Sequence, residues 1–161
     1  MAGEQTLVTR NKKVAFYKVG DKFLRMTGFT SMAKSANPKE YSRQYVDETG
    51  EITDVTGYSP SIEYTFDQYT NNEVHQDIAE ITEDEKLGND AVREIVIVDM
   101  TAPVGQNSNE FEARKRLFAV VPGTDVDNAD TYSYTGTLKS KSGSIKGVAT
   151  LDEAGTSLTF K

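Results

Sequence analysis

Short runs rich in β-branched and aromatic residues recur along the chain: KVAFYKV (13–19), KFLRM (22–26), SIEYTFD (61–67), REIVIVDM (93–100), KRLFAVV (115–121), TYSYTGTLKS (131–140), SIKGVATL (144–151) and SLTFK (157–161). Most are bounded by Gly, Pro, Asn or Asp, so each reads as a strand. Ile62, Tyr64 and Phe66 alternate with Ser61, Glu63 and Thr65, which predicts a strand with one buried face. Tyr132, Tyr134 and Leu138 alternate with Ser133, Thr135 and Thr137 in the same way. IVIV at 95–98 is apolar at every position and is expected at the centre of a sheet, covered on both sides.

One segment changes period. In TNNEVHQDIAEITEDEKLG, Val74, Ile78 and Ile81 fall on one helical face, while Glu73, Asp77, Glu80 and Glu83 point elsewhere. Thr70 and Glu73 have capping-box spacing and Gly88 is a stop signal, which predicts a helix beginning near Asn71 and ending before Gly88. Its narrow apolar stripe suits the outside of a β-sandwich or barrel, docked through Val74, Ile78 and Ile81 over an open edge. Residues 101–110 and 122–131 read as long irregular connections, and residues 1–12 as a flexible N-terminal arm. The expected fold is mainly β: a sandwich or barrel with one flanking helix, in a single domain over 1–161.

Composition adds constraints. A chain of 161 residues fits one domain that buries roughly 70% of its unfolded surface. It has no cysteine and no tryptophan, which removes disulfides and thiolate metal sites. No apolar stretch approaches the roughly 20 residues that span a bilayer, and the amino end lacks signal-peptide features. A soluble protein made in the cytoplasm is expected. The net charge of −7 argues against a nucleic-acid clamp, which gains affinity through a basic face. From Glu40 to Asp67 there are seven acids and one base, so this stretch alone carries −6.

Candidate chemistry is sparse. His75, the one histidine, has no Ser or Cys in a nucleophile setting and is expected as a solvated or lightly packed helix residue. DETGEITD does not fit the ligand frame of a calcium loop, SGSIKG is not followed by a helix as a phosphate loop would be, and nothing selects a glycosidase-type carboxylate pair. No catalytic, metal or cofactor residue is assigned, and the protein is not expected to be an enzyme.

The acidic stretch EYSRQYVDETGEITDVTGY (40–58) needs another account. As a strand it places Tyr41, Arg43, Tyr45 and Asp47 on one face and Ser42, Gln44, Val46 and Glu48 on the other, and neither face could build a core. A polar two-stranded ribbon is marginal in water unless its edges pair with other strands. Subunits joined edge to edge in a closed ring would satisfy those edges and could present polar faces to a water-filled channel. The bland alternative is an acidic loop on a monomer.

The block NPKEYSRQYVDE…TDVTGYSPSIEYTFDQYTNNEVHQDI, followed by AVREIVIVDM, resembles the major tail protein, or tail tube protein, of long-tailed bacteriophages that infect Gram-positive bacteria, over roughly residues 12–101. The order of elements is also similar to tube proteins of contractile tails and type VI secretion systems. The resemblance implies a structural virion protein made in the bacterial host. It implies hexameric rings stacked into a tube that conducts DNA without binding it specifically, with tape measure and tube terminator proteins as further partners. It also implies that the long hairpin joins neighbouring subunits, with some of Asp47, Glu48, Glu51, Asp54 and Glu63 along the channel. A binding module of another class, a monomeric adhesin or capsid decoration protein, is the alternative.

Overall fold

The computed structural model describes residues 5–106 and 109–161. Its strands are β1 (Lys13–Val19), β2 (Lys22–Arg25), β3 (Phe29–Ser35), β4 (Pro38–Arg43), β5 (Ile52–Tyr58) and β6 (Ser61–Asp67). After the helix α1 (Glu73–Glu83) come β7 (Val92–Pro103), β8 (Glu110–Pro122), β9 (Val126–Asp127), β10 (Tyr132–Ser140), β11 (Ile145–Leu151) and β12 (Ser157–Phe160).

Antiparallel pairing in the ring β1–β2–β12–β11–β8–β7 closes a six-stranded barrel. β8 makes closure possible because its two halves have different partners. Its first half, Glu110 to Lys115, pairs with β11, and its second half, Phe118 to Pro122, pairs with β10. From β8 a second sheet therefore continues outward as β10–β6–β3. Alternation divides the apolar residues between two cores. Phe16, Val96, Val98, Ala113, Ala149, Leu151 and Leu158 fill the barrel. Tyr17, Ile95 and Phe118 point out of it and meet Ile62, Tyr64, Phe66, Tyr134 and Leu138 of the outer sheet. IVIV at 95–98 is central as expected, with odd positions in one core and even positions in the other.

The helix docks through the expected residues: Val74, Ile78 and Ile81 are buried in the outer core. Two details differ from the sequence reading. The helix covers the space between barrel wall and outer sheet rather than an edge, because that is where Tyr17, Phe66 and Tyr134 would otherwise meet water. Its N-cap is Asn72, whose side chain accepts from the His75 N–H at 3.1 Å, and not Thr70. Asp77, on the polar side, accepts from Tyr17 Oη at 2.5 Å and Arg93 Nε at 2.9 Å, which ties the helix to β1 and β7.

His75 also departs from expectation, since it is fully buried rather than solvated. Its Nδ1 accepts from the Tyr69 N–H at 3.1 Å, so Nε2 carries the proton and donates to the Thr27 carbonyl at 2.6 Å. The ring stacks on Phe66 with centroids 4.5 Å apart. Gly28, at φ +77°, lies so close that a Cβ there would sit 2.8 Å from the ring. Burial pushes the imidazole below its ordinary range.

Two expected irregular segments contain strand. β7 runs on to Pro103 and β8 begins at Glu110, so 101–110 is mostly a hairpin end, with residues 107–108 outside the described ones. β9 adds a short bridge to β10 within 122–131. Of the expected N-terminal arm, 1–4 lie outside the described residues, 5–9 are irregular and Arg10–Lys12 form a 3₁₀ turn.

Candidate assembly interface

Residues 40–58 form the outer part of a longer hairpin. β3 pairs with β6, and beyond a break at Asn37 and Ser59 the same two chain segments pair again as β4 with β5. Asn37 adopts φ +47°, which an asparagine tolerates better than most residues. Its Nδ2 donates to the Ser59 carbonyl at 3.1 Å and to Ser61 Oγ at 3.0 Å, while Ser59 N–H donates back to the Asn37 carbonyl. The break is thus a pinned bend.

The arm beyond it has no core. No residue of β4 or β5 is buried, and among the described residues each pairs only with the other, so both outer edges are open. Tyr41, Tyr45, Val46, Val55 and Tyr58 are all exposed. Besides the β4–β5 ladder, Arg43 ties the arm together: its guanidinium lies 5.0 Å from the Tyr41 ring centre and 5.8 Å from that of Tyr45 and pairs with Asp54. At the tip, Glu48 N–H donates to the Tyr45 carbonyl and Gln44 Nε2 to the Glu48 carbonyl.

The five acids singled out in the sequence are not brought together. Asp47, Glu48 and Glu51 are exposed around the tip, and Asp54 lies along β5 with its charge offset by Arg43. Glu63 is elsewhere: on β6, between Ala33 of β3 and Thr137 of β10, on the face of the outer sheet turned away from the core. That face is composed mostly of small and hydroxylated residues: Ser31, Ala33, Ser35, Ser61, Thr65, Ser133, Thr135 and Thr137, with Glu63, Asp67 and Lys139 the charged members. β3 ends this sheet and pairs on one side only. Strand alternation had marked the hydroxyls of β6 and β10, but not their continuation in β3. Among the described residues, no three His, Asp or Glu side chains are placed to hold a metal ion.

The arrangement offers unpaired strand edges and a polar, weakly charged sheet surface, which suits assembly better than bond chemistry. No family model matches the sequence. No curated protein matches it either. Solved structures do match. A chain from the tail of an empty gene transfer agent particle, refined with helical and C6 symmetry, has a TM-score of 0.63 at 12% identity, covering 86% of this chain and 98% of that one. One from the tube-terminating cap of the anti-feeding prophage has a TM-score of 0.52 at 13% identity, covering 93% and 95%. One from the sheath/tube terminator structure of an extracellular contractile injection system has a TM-score of 0.51 at 14% identity, covering 89% and 99%. The chain therefore has the barrel-and-helix fold found in phage-like tails and contractile injection particles.

Proposed function

We propose that this chain is a structural subunit of a phage-type tail tube. Copies join through the polar arm and the free edge of β3, six to a ring, and the rings stack into a tube that forms part of a virion. The observation that carries this reading is the arm itself: a ribbon with no buried residue and two open edges, of a kind that is marginal alone and stable once paired. The C6 symmetry of the gene transfer agent tail in which a similar chain sits supports the sixfold count.

The hydroxyl-rich face of β3, β6 and β10 is the candidate channel wall. Duplex DNA presents about one charge per 1.7 Å of axis, so a basic wall would hold it by counterion release. A wall of Ser and Thr with Glu63, Asp67 and one Lys leaves DNA free to slide. Negative-stain electron microscopy of the purified protein tests the reading: rings or tubes of uniform width with sixfold averages are expected. A monomer at every concentration would overturn it and favour an isolated binding module.

A further inference from the structure

Helix α1 fills one end of the space between barrel wall and outer sheet, and the other end is open. Along β1, Tyr17 reaches the helix while Lys13 lines an open cleft of about 340 Å³. Arg114 from β8 and Lys34 from β3 face the same cleft, with Met32 and Ile97 as its apolar floor. An adjoining recess adds Arg116. Lys13, Lys34, Arg114 and Arg116 make no ion pair among the described residues. The Arg116 Nε–H is buried and has no hydrogen-bond acceptor among the described residues. Of the acids nearby, Glu112 pairs with Lys146 at 3.4 Å, and Asp99 accepts from Thr101 while its charge also faces Lys13 and Arg114. Five cations against two acids leave the two recesses with three excess positive charges.

We propose that this cleft receives the acidic arm tip, Val46 to Glu51, of a second copy of the chain. The proposal rests on the self-assembly reading above and names a contact that joins a copy in one ring to a copy in the next. Charge complementarity selects the occupant: Asp47, Glu48 and Glu51 supply three negative charges without an ion pair among the described residues, and fully exposed Val46 is an apolar group suited to the Met32 and Ile97 floor. In the folded chain the tip stays clear of its own cleft, with Asp47, Glu48 and Glu51 all exposed. β4, Pro38–Arg43, carries it roughly 20 Å away from the sheet at about 3.3 Å per residue, and the Asn37 bend is pinned on both sides. Burial, and then the neighbouring Arg116, Arg114 and Lys13, hold the Lys34 ammonium below the ordinary lysine range, a crowding that an arriving carboxylate would relieve.

Charge exchange tests this. One variant carries Asp47→Lys, Glu48→Lys and Glu51→Lys; the other carries Lys34→Glu, Arg114→Glu and Arg116→Glu. Each alone should lose species heavier than a single ring in sedimentation velocity, and mixing the two in equal amounts should restore them, since each tip then meets a cleft of opposite sign. The tip variant touches no core residue, and far-UV circular dichroism checks the fold of the other. Because the chain has no cysteine, a Glu48→Cys, Lys34→Cys double variant provides a second readout. Mild oxidation should give a ladder of covalent multimers on a non-reducing gel. Tip variants that assemble like wild type, or an absent ladder in protein that forms rings, would overturn the docking and leave the assembly reading standing. Wild-type protein that stays monomeric in the microscope, together with no ladder from the double-cysteine variant, would overturn both.

Discussion

Truncating Ile78 to Ala tests how the helix is seated. Ile78 is fully buried in the cluster that holds Tyr17 of β1, Ile95 of β7, Tyr64 of β6 and Leu138 of β10. The substitution removes an ethyl and a methyl group, and at about 0.8 kcal/mol per buried carbon the transfer loss is roughly 2.4 kcal/mol. A vacated space of roughly 70 Å³, if the neighbours do not close in, adds up to about 1.7 kcal/mol at ~24 cal/mol per Å³. The sheets on both sides are fixed by strand pairing, so little collapse is expected and the total should be about 2.5–4 kcal/mol. Urea unfolding followed by far-UV circular dichroism measures it, on dilute protein so that assembly does not add stability through mass action. Val46→Ala, at the exposed tip, is the control and should change stability by no more than about 0.5 kcal/mol. An Ile78→Ala loss no larger than that control would refute the seating of the helix between the two sheets.

Acid should weaken the fold at His75: its folded-state pKa is depressed by burial, so the unfolded chain binds the proton first and stability falls as pH drops below about 6.5. The check is the urea midpoint between about pH 7.5 and about pH 5.5, whose fall should shrink in His75→Asn; an equal fall in both proteins would assign it to other groups. At Gly136 an added Cβ would lie 2.5 Å from Tyr64 Oη, which burial and then Asp125 push up to about 12, and 2.6 Å from the Val121 carbonyl. Gly136→Ala should therefore cost about 1–3 kcal/mol through overpacking, and an unchanged melting temperature would show that the sheet can shift there. Asp77→Ala leaves both the Tyr17 hydroxyl and the Arg93 guanidinium without their shared acceptor; a loss on the order of 2 kcal/mol is expected in chemical denaturation, and a loss no larger than at the exposed tip would contradict the network. Assembled tubes carrying Ser31→Lys, Glu63→Lys and Thr137→Lys should retain duplex DNA at low salt and release it as salt rises; free passage at low ionic strength would remove this face as the channel wall.

Eight strands were legible because their side chains alternate or are uniformly apolar, and both patterns follow from local geometry that a linear chain already records. The same holds for the helix, whose Val74, Ile78 and Ile81 stripe reports a period of 3.6 residues. β3 escaped because Phe29 and Met32 are too few to show alternation; it is a strand because β6 pairs with it. The cap moved from Thr70 to Asn72 because more than one residue with a suitable side chain precedes the helix, and only its docking decides which turn comes first. His75 looked solvated among acids, yet Gly28 and Thr27, over forty residues earlier, close around its ring.

By itself the sequence determined which residues can form strands, where one helix interrupts them, and that the segment from Glu40 to Tyr58 lacks the apolar surface to bury itself. Those are properties of neighbours along the chain. Only the tertiary structure decided that β8 serves two sheets, that the barrel closes on β11, and that Glu63 stands apart from the acids of the arm tip. The gathering of Lys13, Lys34, Arg114 and Arg116 at one open cleft and its adjoining recess belongs to the same class. The reason is that strand pairing is non-local: which edge meets which depends on how the whole set of apolar faces can be covered at once, and no window of sequence contains that condition.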